Sequence, residues 1–177
     1  MIPSVKFALV SDSHGLDDPR LPGLFEGCAR VLHAGDVVAV GVLATLSRVA
    51  PLSAVRGNND LDPAFDALPE TATVPLGELR AFLVHDLGSR EHPHPRVRAA
   101  LARARPDVVI HGHSHRPGAA IHAGRLYVNP GSAGPRRFAL PRTAAILTVS
   151  GRRARVAFYE LSGPRLEPHG EPFEAEL

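Results

Sequence analysis

The sequence is poor in cysteine and in aromatic residues. Cys28 is the only cysteine, so the chain cannot form an intrachain disulfide, and this favours a reducing compartment. Tryptophan is absent and aromatic residues make up only 5% of the chain, which leaves few rings on which nucleic-acid bases could stack. Because the formal net charge is only +2, the composition argues against nucleic acid as a partner.

Long apolar runs are missing as well. No segment approaches the roughly 18 consecutive apolar residues that a membrane-spanning helix needs. The opening stretch, MIPSVKFALVSDSHG, has no charged leader followed by an apolar stretch of signal-peptide length. We therefore expect a cytoplasmic protein with no membrane partner.

What the chain does have is enough apolar material for one core. It contains 177 residues, of which 44% are hydrophobic, and nothing in it demands a second domain. We predict a single domain over residues 1–162. The segment 163–177 is rich in proline and in acidic residues, and we predict that it forms a mobile C-terminal tail.

The first third of the sequence alternates between strand and helix patterns. Three apolar runs lie in VKFALVSD, VLHAGD and PLSAVRGNND, and the helical stretches LPGLFEGCARV and VGVLATLSRVA separate them. This β-α-β-α-β order predicts parallel strands in an α/β sheet. Further along, ATVPLGELRAFLVHD predicts two strands, PRVRAALARARP a helix, and AAIHAGRLYVNPGS and AAILTVSGRRARVAFYEL two hairpins.

Five polar segments, each directly after an apolar strand, carry side chains that can bind metal ions. The segments are SDSH, HAGD, GNND, VHD and HGHSH. Each one alone could be an ordinary turn or cap. Open α/β sheets, however, bind their ligands at the carboxyl ends of the strands, so five such endings together predict a site there. The candidate ligands are Asp12, His14, Asp36, Asn58, His85, His113 and His115.

Seven side chains exceed what one tetrahedral zinc ion takes, but they suit two adjacent cations that share a carboxylate bridge. The mixture of carboxylate, imidazole and amide oxygen, without thiolate, favours Mn, Fe, Zn, Co or Ni over calcium. Two divalent cations held by two aspartates keep a net positive charge, which would attract an anionic substrate.

The ordered motifs resemble those of the calcineurin-like metallophosphoesterases, and the resemblance spans nearly the whole chain. The short length and the NPGS stretch at 129–132 resemble most the small bacterial and archaeal phosphodiesterase branch of that family. The matching residues are Asp12 and His14, Gly35 and Asp36, Gly57 to Asp60, His85, and Gly112, His113 and His115.

The resemblance implies a fold and a set of roles. The fold would be a four-layer α/β/β/α sandwich of two mixed sheets flanked by helices. One ion would be bound by Asp12, His14, Asp36 and His115, and the other by Asp36, Asn58, His85 and His113. Manganese is the metal we expect first. The implied reaction is hydrolysis of a small phosphodiester by in-line attack of a hydroxide that bridges the metals, with Asp36, Asn58, Asn59 and His113 as the catalytic residues.

Two positions depart from the family pattern. Most of the wider family has a histidine after the metal-binding asparagine, where it is understood to protonate the leaving group, but this chain has Asn59. An amide cannot supply that proton, so the departure favours diesters over monoesters. The glycine that usually follows His85 is replaced by Asp86, which is either a hydrogen-bond partner of a ligand or a polar loop residue; we favour the loop residue.

The roles of several other residues are less clear from the sequence pattern. His33 either supports the site or is a satisfied histidine near the core, and His111 is expected to end its strand without binding metal. Arg56, Arg136 and Arg137 flank the predicted site, but we interpret them as ordinary surface arginines.

Other functions compete with a phosphodiesterase. The retromer scaffold subunit has a similar fold and binds proteins, so the fold alone does not imply catalysis. A complete set of seven ligands favours the enzyme, and the extra domains of related nucleases are missing. A phosphomonoesterase is the second enzymatic alternative. The natural substrate, the native metal and the oligomeric state, including a homo-oligomer, are not determined by these residues.

Overall fold

The computed structural model describes residues 3–137 and 139–177, and it contains two β-sheets and three α-helices in that part of the chain. A short 3-10 helix spans Pro63–Phe65. The helices are α1 (Leu21–Leu24), α2 (Val40–Val49) and α3 (Pro95–Ala104). The strands are β1 (Val5–Val10), β2 (Arg30–His33), β3 (Leu52–Ala54), β4 (Thr71–Leu76), β5 (Leu79–Val84), β6 (Val108–Ile110), β7 (Gly118–His122), β8 (Arg125–Asn129), β9 (Thr143–Ser150), β10 (Arg153–Glu160), β11 (Glu167–Pro168) and β12 (Phe173–Glu176).

The first sheet has the order β11-β10-β9-β1-β2-β3, and β12 also pairs with β10. Strands β1, β2 and β3 are parallel, as the β-α-β-α-β pattern predicts, whereas β9 and β10 are antiparallel to their neighbours. The second sheet has the order β4-β5-β6-β8-β7, in which β5, β6 and β8 are parallel. Both sheets are therefore mixed.

The alternation of side chains along the strands produces the layers. In β1, Phe7 and Leu9 point into a core that both sheets share, while Ala8 and Val10 point to the opposite face, where α1 and α2 pack. On the outer face of the second sheet, Val97 of α3 packs in a separate cluster with residues of β5 and β6. The layers run helix, sheet, sheet, helix, which confirms the predicted α/β/β/α sandwich.

Two segments differ from the sequence prediction. The helical stretch near residue 21 is only four residues long, because Gly23 and Gly27 are poor helix formers and the turn ends at Phe25. The segment 163–177 is not a loose tail in the structure, since β11 and β12 both pair with β10. Phe173 lies opposite Val156 and packs against the shared core, and this apolar contact gives the segment a fixed place despite its polar composition.

No helix within residues 3–137 and 139–177 has the length and apolar character needed to cross a membrane.

The pairing of β12 can be tested with two neighbouring residues that face opposite ways. Phe173→Ala removes a half-buried ring and should lower the free energy of unfolding by about 0.8–1.5 kcal/mol, roughly half the value of a fully buried side chain. Glu174→Ala removes only an exposed ion pair with Arg155 and should cost less than about 0.5 kcal/mol. Urea unfolding measures both. Equal effects, or none from either variant, would mean that the segment is not packed as described.

Candidate metal centre

The predicted ligands lie on loops that follow five strands of the two sheets. The loops after β1, β2 and β3 come from the first sheet, and those after β5 and β6 come from the second. Because the strands within each set are parallel, their carboxyl ends meet at one edge of the sandwich. The structure brings all seven predicted side chains into one connected group there: Asp12, His14, Asp36, Asn58, His85, His113 and His115.

Asp12, His14 and His115 form the first part of this group. Asp12 Oδ1 lies 3.2 Å from His115 Nε2 and 3.9 Å from His14 Nε2, and the two imidazole nitrogens are 3.2 Å apart. Their potential ligand atoms all lie within 4.8 Å of one another. This spacing is what a single cation needs to be bound by all three.

Asp36 lies between the two parts of the group. Its Oδ2 atom is 3.7 Å from His14 Nε2 on one side and 3.4 Å from His85 Nε2 on the other. Asn58 Oδ1 extends the second part, since it lies 3.0 Å from both His85 Nε2 and His113 Nδ1. One carboxylate thus faces nitrogen atoms of both parts.

The orientation of His85 is set by the backbone. Its Nδ1 atom donates a hydrogen bond to the carbonyl of Ala34 over 2.8 Å, so Nε2 is the atom that faces Asp36 and Asn58 and that offers a lone pair there when the ring is neutral. A ring fixed in this tautomer is the form in which a histidine binds metal.

The two carboxylates remain ionised. Burial raises the pKa of Asp36, but contacts with His85 and Asn59 outweigh it and hold that pKa well below its usual range. Burial also raises the pKa of Asp12, but contacts with His115, His85 and Ser11 outweigh burial and lower that pKa overall. Negative charge is therefore concentrated in a buried volume.

One atom indicates directly that a cation fits. Asp12 Oδ1 is fully buried and has no hydrogen-bond partner within the described chain, although three imidazole nitrogens lie within 4.0 Å of it. A buried charged oxygen without a donor is costly. A metal ion would satisfy this oxygen and the lone pairs of the neighbouring rings together, so the residues fit the metal that their chemistry predicts.

The ligand loops have an unusual backbone. Left-handed φ angles occur at Asp12 (53°), His14 (44°), Asp36 (56°), His113 (69°) and His115 (58°), a conformation that residues other than glycine rarely adopt. Strain of this kind concentrates at functional sites and persists only where the surroundings enforce it.

Glycines permit the close approach of these loops. A Cβ atom on Gly57 would overlap Asp36 Oδ1, and one on Gly112 would overlap Ser11 Oγ and crowd Asp12 Oδ2. The motif glycines therefore give the carboxylates room to reach the centre, and a side chain at either position would displace them.

His33 supports the site without taking part in it. Its Nδ1 atom accepts a hydrogen bond from Gly35 N–H, so the proton is on Nε2, which donates to Ser13 Oγ over 2.6 Å. Ser13 lies between Asp12 and His14, so this buried imidazole fixes the loop that carries both. Of the two interpretations that the sequence left open, the supporting one agrees with these contacts.

The NPGS stretch has a structural task that sequence reasoning missed. Asn129 Nδ2 donates to the carbonyl of Gly112 and to Ser114 Oγ, while Ser132 Oγ donates to the carbonyl of Asp12. The stretch thus ties the His113 loop to the Asp12 loop. The stretch follows a buried strand, and this position indicated that it could lie near the site. The sequence does not reveal which loops it contacts.

Asp86 lies beside the group rather than within it. Its Oδ1 atom accepts the Gly88 N–H, and its Oδ2 atom is 3.2 Å from His94 Nε2 and 3.8 Å from His113 Nε2. It is a loop residue, as predicted, and it also faces a candidate ligand from outside.

The remaining candidates lie elsewhere. His111 directly follows β6 and is in neither set of potential ligands found among the described residues. Arg56 pairs with Asp66 and donates to the carbonyl of Asp60. Arg136 and Arg137 are exposed, and the charge of Arg137 contributes to the lowered pKa of His14, after the larger effect of burial.

Comparison with known proteins agrees with the motifs. A family model described as the calcineurin-like phosphoesterase superfamily domain matches residues 5–152. A protein named probable metallophosphoesterase from Bacillus subtilis is 31% identical over 165 residues, which cover 90% of this chain and 93% of that protein. The resemblance inferred from the sequence is thereby confirmed at the level of the family.

Solved structures share the fold. A predicted phosphoesterase from Streptococcus pneumoniae gives a TM-score of 0.78 at 21% identity and covers 100% of both chains. Vacuolar protein sorting 29 from Cryptosporidium parvum gives a TM-score of 0.79 at 20% identity, with 97% of this chain and 99% of that one covered. At these identities the likeness supports the fold alone.

The role of His33 predicts a pH dependence of stability. Burial lowers the pKa of His33 from 6.5 to about 4, so between these values the unfolded chain takes up a proton that the folded chain does not. Stability must therefore fall as the pH falls through this window, by at most about 3 kcal/mol from this residue. We expect the metal-free wild type to lose that much more unfolding free energy between pH 7 and pH 4 than His33→Asn, measured by urea unfolding with a chelator. Parallel pH profiles of the two proteins would contradict the assignment.

Proposed function

We propose that this chain, which belongs to the calcineurin-like phosphoesterase superfamily, hydrolyses a small phosphodiester with the help of two divalent transition-metal ions. The observation that carries the proposal is the position of Asp36, whose Oδ2 atom faces His14 on one side and His85 on the other. A carboxylate between two groups of ligands is the arrangement that two-metal hydrolases use.

The proposed ligand sets are those that the family resemblance implies, and the distances are compatible with them. One ion would be bound by Asp12, His14, Asp36 and His115, and the other by Asp36, Asn58, His85 and His113. The absence of thiolates among these ligands and the presence of imidazole and carboxylate favour Mn, Fe, Ni, Co or Zn over calcium, and manganese is the metal we propose first. When bound, the ions would supply Lewis-acid activation of water and of the phosphoryl oxygens.

The chain itself contributes position and charge. Asp12 and Asp36 stay ionised for the reasons given above, so they neutralise part of the positive charge without needing to lose a proton first. The bond from His85 Nδ1 to the Ala34 carbonyl fixes the ring so that Nε2 faces the centre, where it can bind an ion once this nitrogen has lost its own proton. These fixed groups keep the centre in place during a reaction and leave net positive charge for an anionic ester.

Asn59 supports the preference for diesters. Its side-chain amide donates to Asp36 Oδ2 over 2.6 Å, and its backbone N–H donates to Asp36 Oδ1 over 2.8 Å. The residue therefore holds the central carboxylate, and it has no acidic proton to give to a leaving group. The acidic alcohol or phenol of a diester leaves without that proton, whereas the alcohol of an alkyl monoester depends on it.

A cytoplasmic location remains a prediction from the single cysteine.

Substrate preference tests the proposal. With Mn²⁺ added, we expect hydrolysis of bis(p-nitrophenyl) phosphate, and a rate on alkyl phosphomonoesters that is lower by about 10²-fold or more, because general acid catalysis contributes about that much. Steady-state kinetics on both substrates measure it. Asp36→Asn is the matched control, since it keeps the shape of the side chain but removes its charge, and it should abolish both activities. Faster hydrolysis of alkyl monoesters than of the diester would contradict the assignment.

A further inference from the structure

A groove of about 810 Å³ opens beside the candidate metal centre, between α3 and the loop 56–61. Asn58 and His85 belong to both, so the groove and the centre are continuous. A substrate with its phosphorus at the centre would have room on this side for one of its two ester groups.

The groove runs away from the centre along α3. The helix begins next to the centre, because His94, the residue before its first turn, faces Asp86, which in turn faces His113. Arg96 and Arg103 both line the groove and are seven residues apart, which corresponds to roughly 10 Å along a helix that rises about 1.5 Å per residue. Arg103 therefore marks the far end.

The middle of the groove is apolar. Val84 and Val97 are buried members of the cluster between β5 and α3, and Ala100 is partly buried against it. On the opposite side Leu61 is 78% exposed, which is unusual for a large apolar side chain. These walls suit a flat, apolar group more than a hydrated one.

Some charged groups that line the groove are already satisfied. Both oxygens of Asp60 accept backbone N–H groups, from Val38 and from Gly57. Asp86 faces His94 and accepts the Gly88 N–H.

The charged side chains that line the groove are unevenly distributed along it. Arg56 is paired with Asp66, whereas Arg96, Arg103 and Glu70 have no ion-pair partner among the residues that the structure describes. The three carboxylates of the lining lie at the end near the centre, because Asp60 and Asp86 are on the ligand loops and Glu70 precedes Thr71, which pairs with Val84. Arg103 lies at the opposite end, so the far end of the groove favours an anionic group.

We infer that the groove is the binding site for the larger ester group of the substrate, and that this group is flat and largely apolar with an anionic substituent at its far end. The inference rests on the proposed phosphodiesterase function. It specifies the substrate class as asymmetric diesters, in which one ester group lies along α3 and reaches Arg103.

Two variants probe the groove, and a third serves as control. Ala100→Phe fills the apolar middle, Arg103→Ala removes the distant cation, and Arg98→Ala removes an exposed arginine of the same helix that does not line the groove. Metal content and thermal unfolding are measured for each, so that damage to the centre or to the fold is recognised. Arg103→Ala alters only an exposed side chain and remains informative even if Ala100→Phe does not fold.

Three chromogenic diesters separate size from charge: p-nitrophenyl methyl phosphate, bis(p-nitrophenyl) phosphate and 4-carboxyphenyl 4-nitrophenyl phosphate. Ala100→Phe should raise KM for the two larger diesters by about tenfold or more, and leave the methyl ester within about twofold, because only the larger groups need the space. Arg103→Ala should raise KM about threefold for the carboxyphenyl ester alone, the size expected of an exposed ion pair. Arg98→Ala should change none of them.

A binding measurement keeps this inference distinct from the proposed function. Calorimetric titration of the Mn²⁺-loaded protein with (4-carboxybenzyl)(benzyl)phosphinate, a stable diester analogue in which carbon replaces both ester oxygens, should show weaker binding to Arg103→Ala and Ala100→Phe than to Arg98→Ala. If those variants lose binding but the wild type hydrolyses no diester, the groove is a binding site and the proposed phosphodiesterase function is wrong. If all variants hydrolyse the diesters with the same KM values, the phosphodiesterase function stands and the groove does not bind the ester group.

Discussion

The burial of two ionised carboxylates at one edge of the sandwich is the constraint on which the rest of the site depends. Asp12 and Asp36 cannot both lie among imidazole rings, with one oxygen lacking any donor in the described chain, unless positive charge compensates them. Two metal ions would supply that charge. The strained loops, the close-packed glycines and the buried His33 then have a common purpose, because all of them hold the carboxylates where the ions need them.

The fold makes this placement possible by joining two sheets at their carboxyl ends. Each sheet alone would supply only part of the centre: Asp12, His14, Asp36 and Asn58 come from the first, and His85, His113 and His115 from the second. The apolar core that the sheets share fixes their distance, so packing far from the centre sets its geometry. The NPGS stretch adds a direct link between the two halves through Gly112 and Asp12.

Much of this could be predicted from the sequence, because polar endings of buried strands are local signals. The parallel order of β1 to β3, the hairpins and the grouping of the ligands follow from such patterns. The bond from Asn59 to Asp36 and the packing of Phe173 could not be predicted, since both depend on which distant segments meet. Composition was misleading for the C-terminal segment, where one aromatic contact outweighs a polar and proline-rich context.

Metal content tests the central claim most directly. After reconstitution with Mn²⁺ and removal of free ions, elemental analysis should find about two ions per wild-type chain, about one in His113→Ala and in His115→Ala, and almost none in Asp36→Asn, because Asp36 is the proposed ligand of both ions. A wild-type content near zero, or a content that Asp36→Asn does not change, would contradict the account and favour a protein-binding scaffold on the same fold.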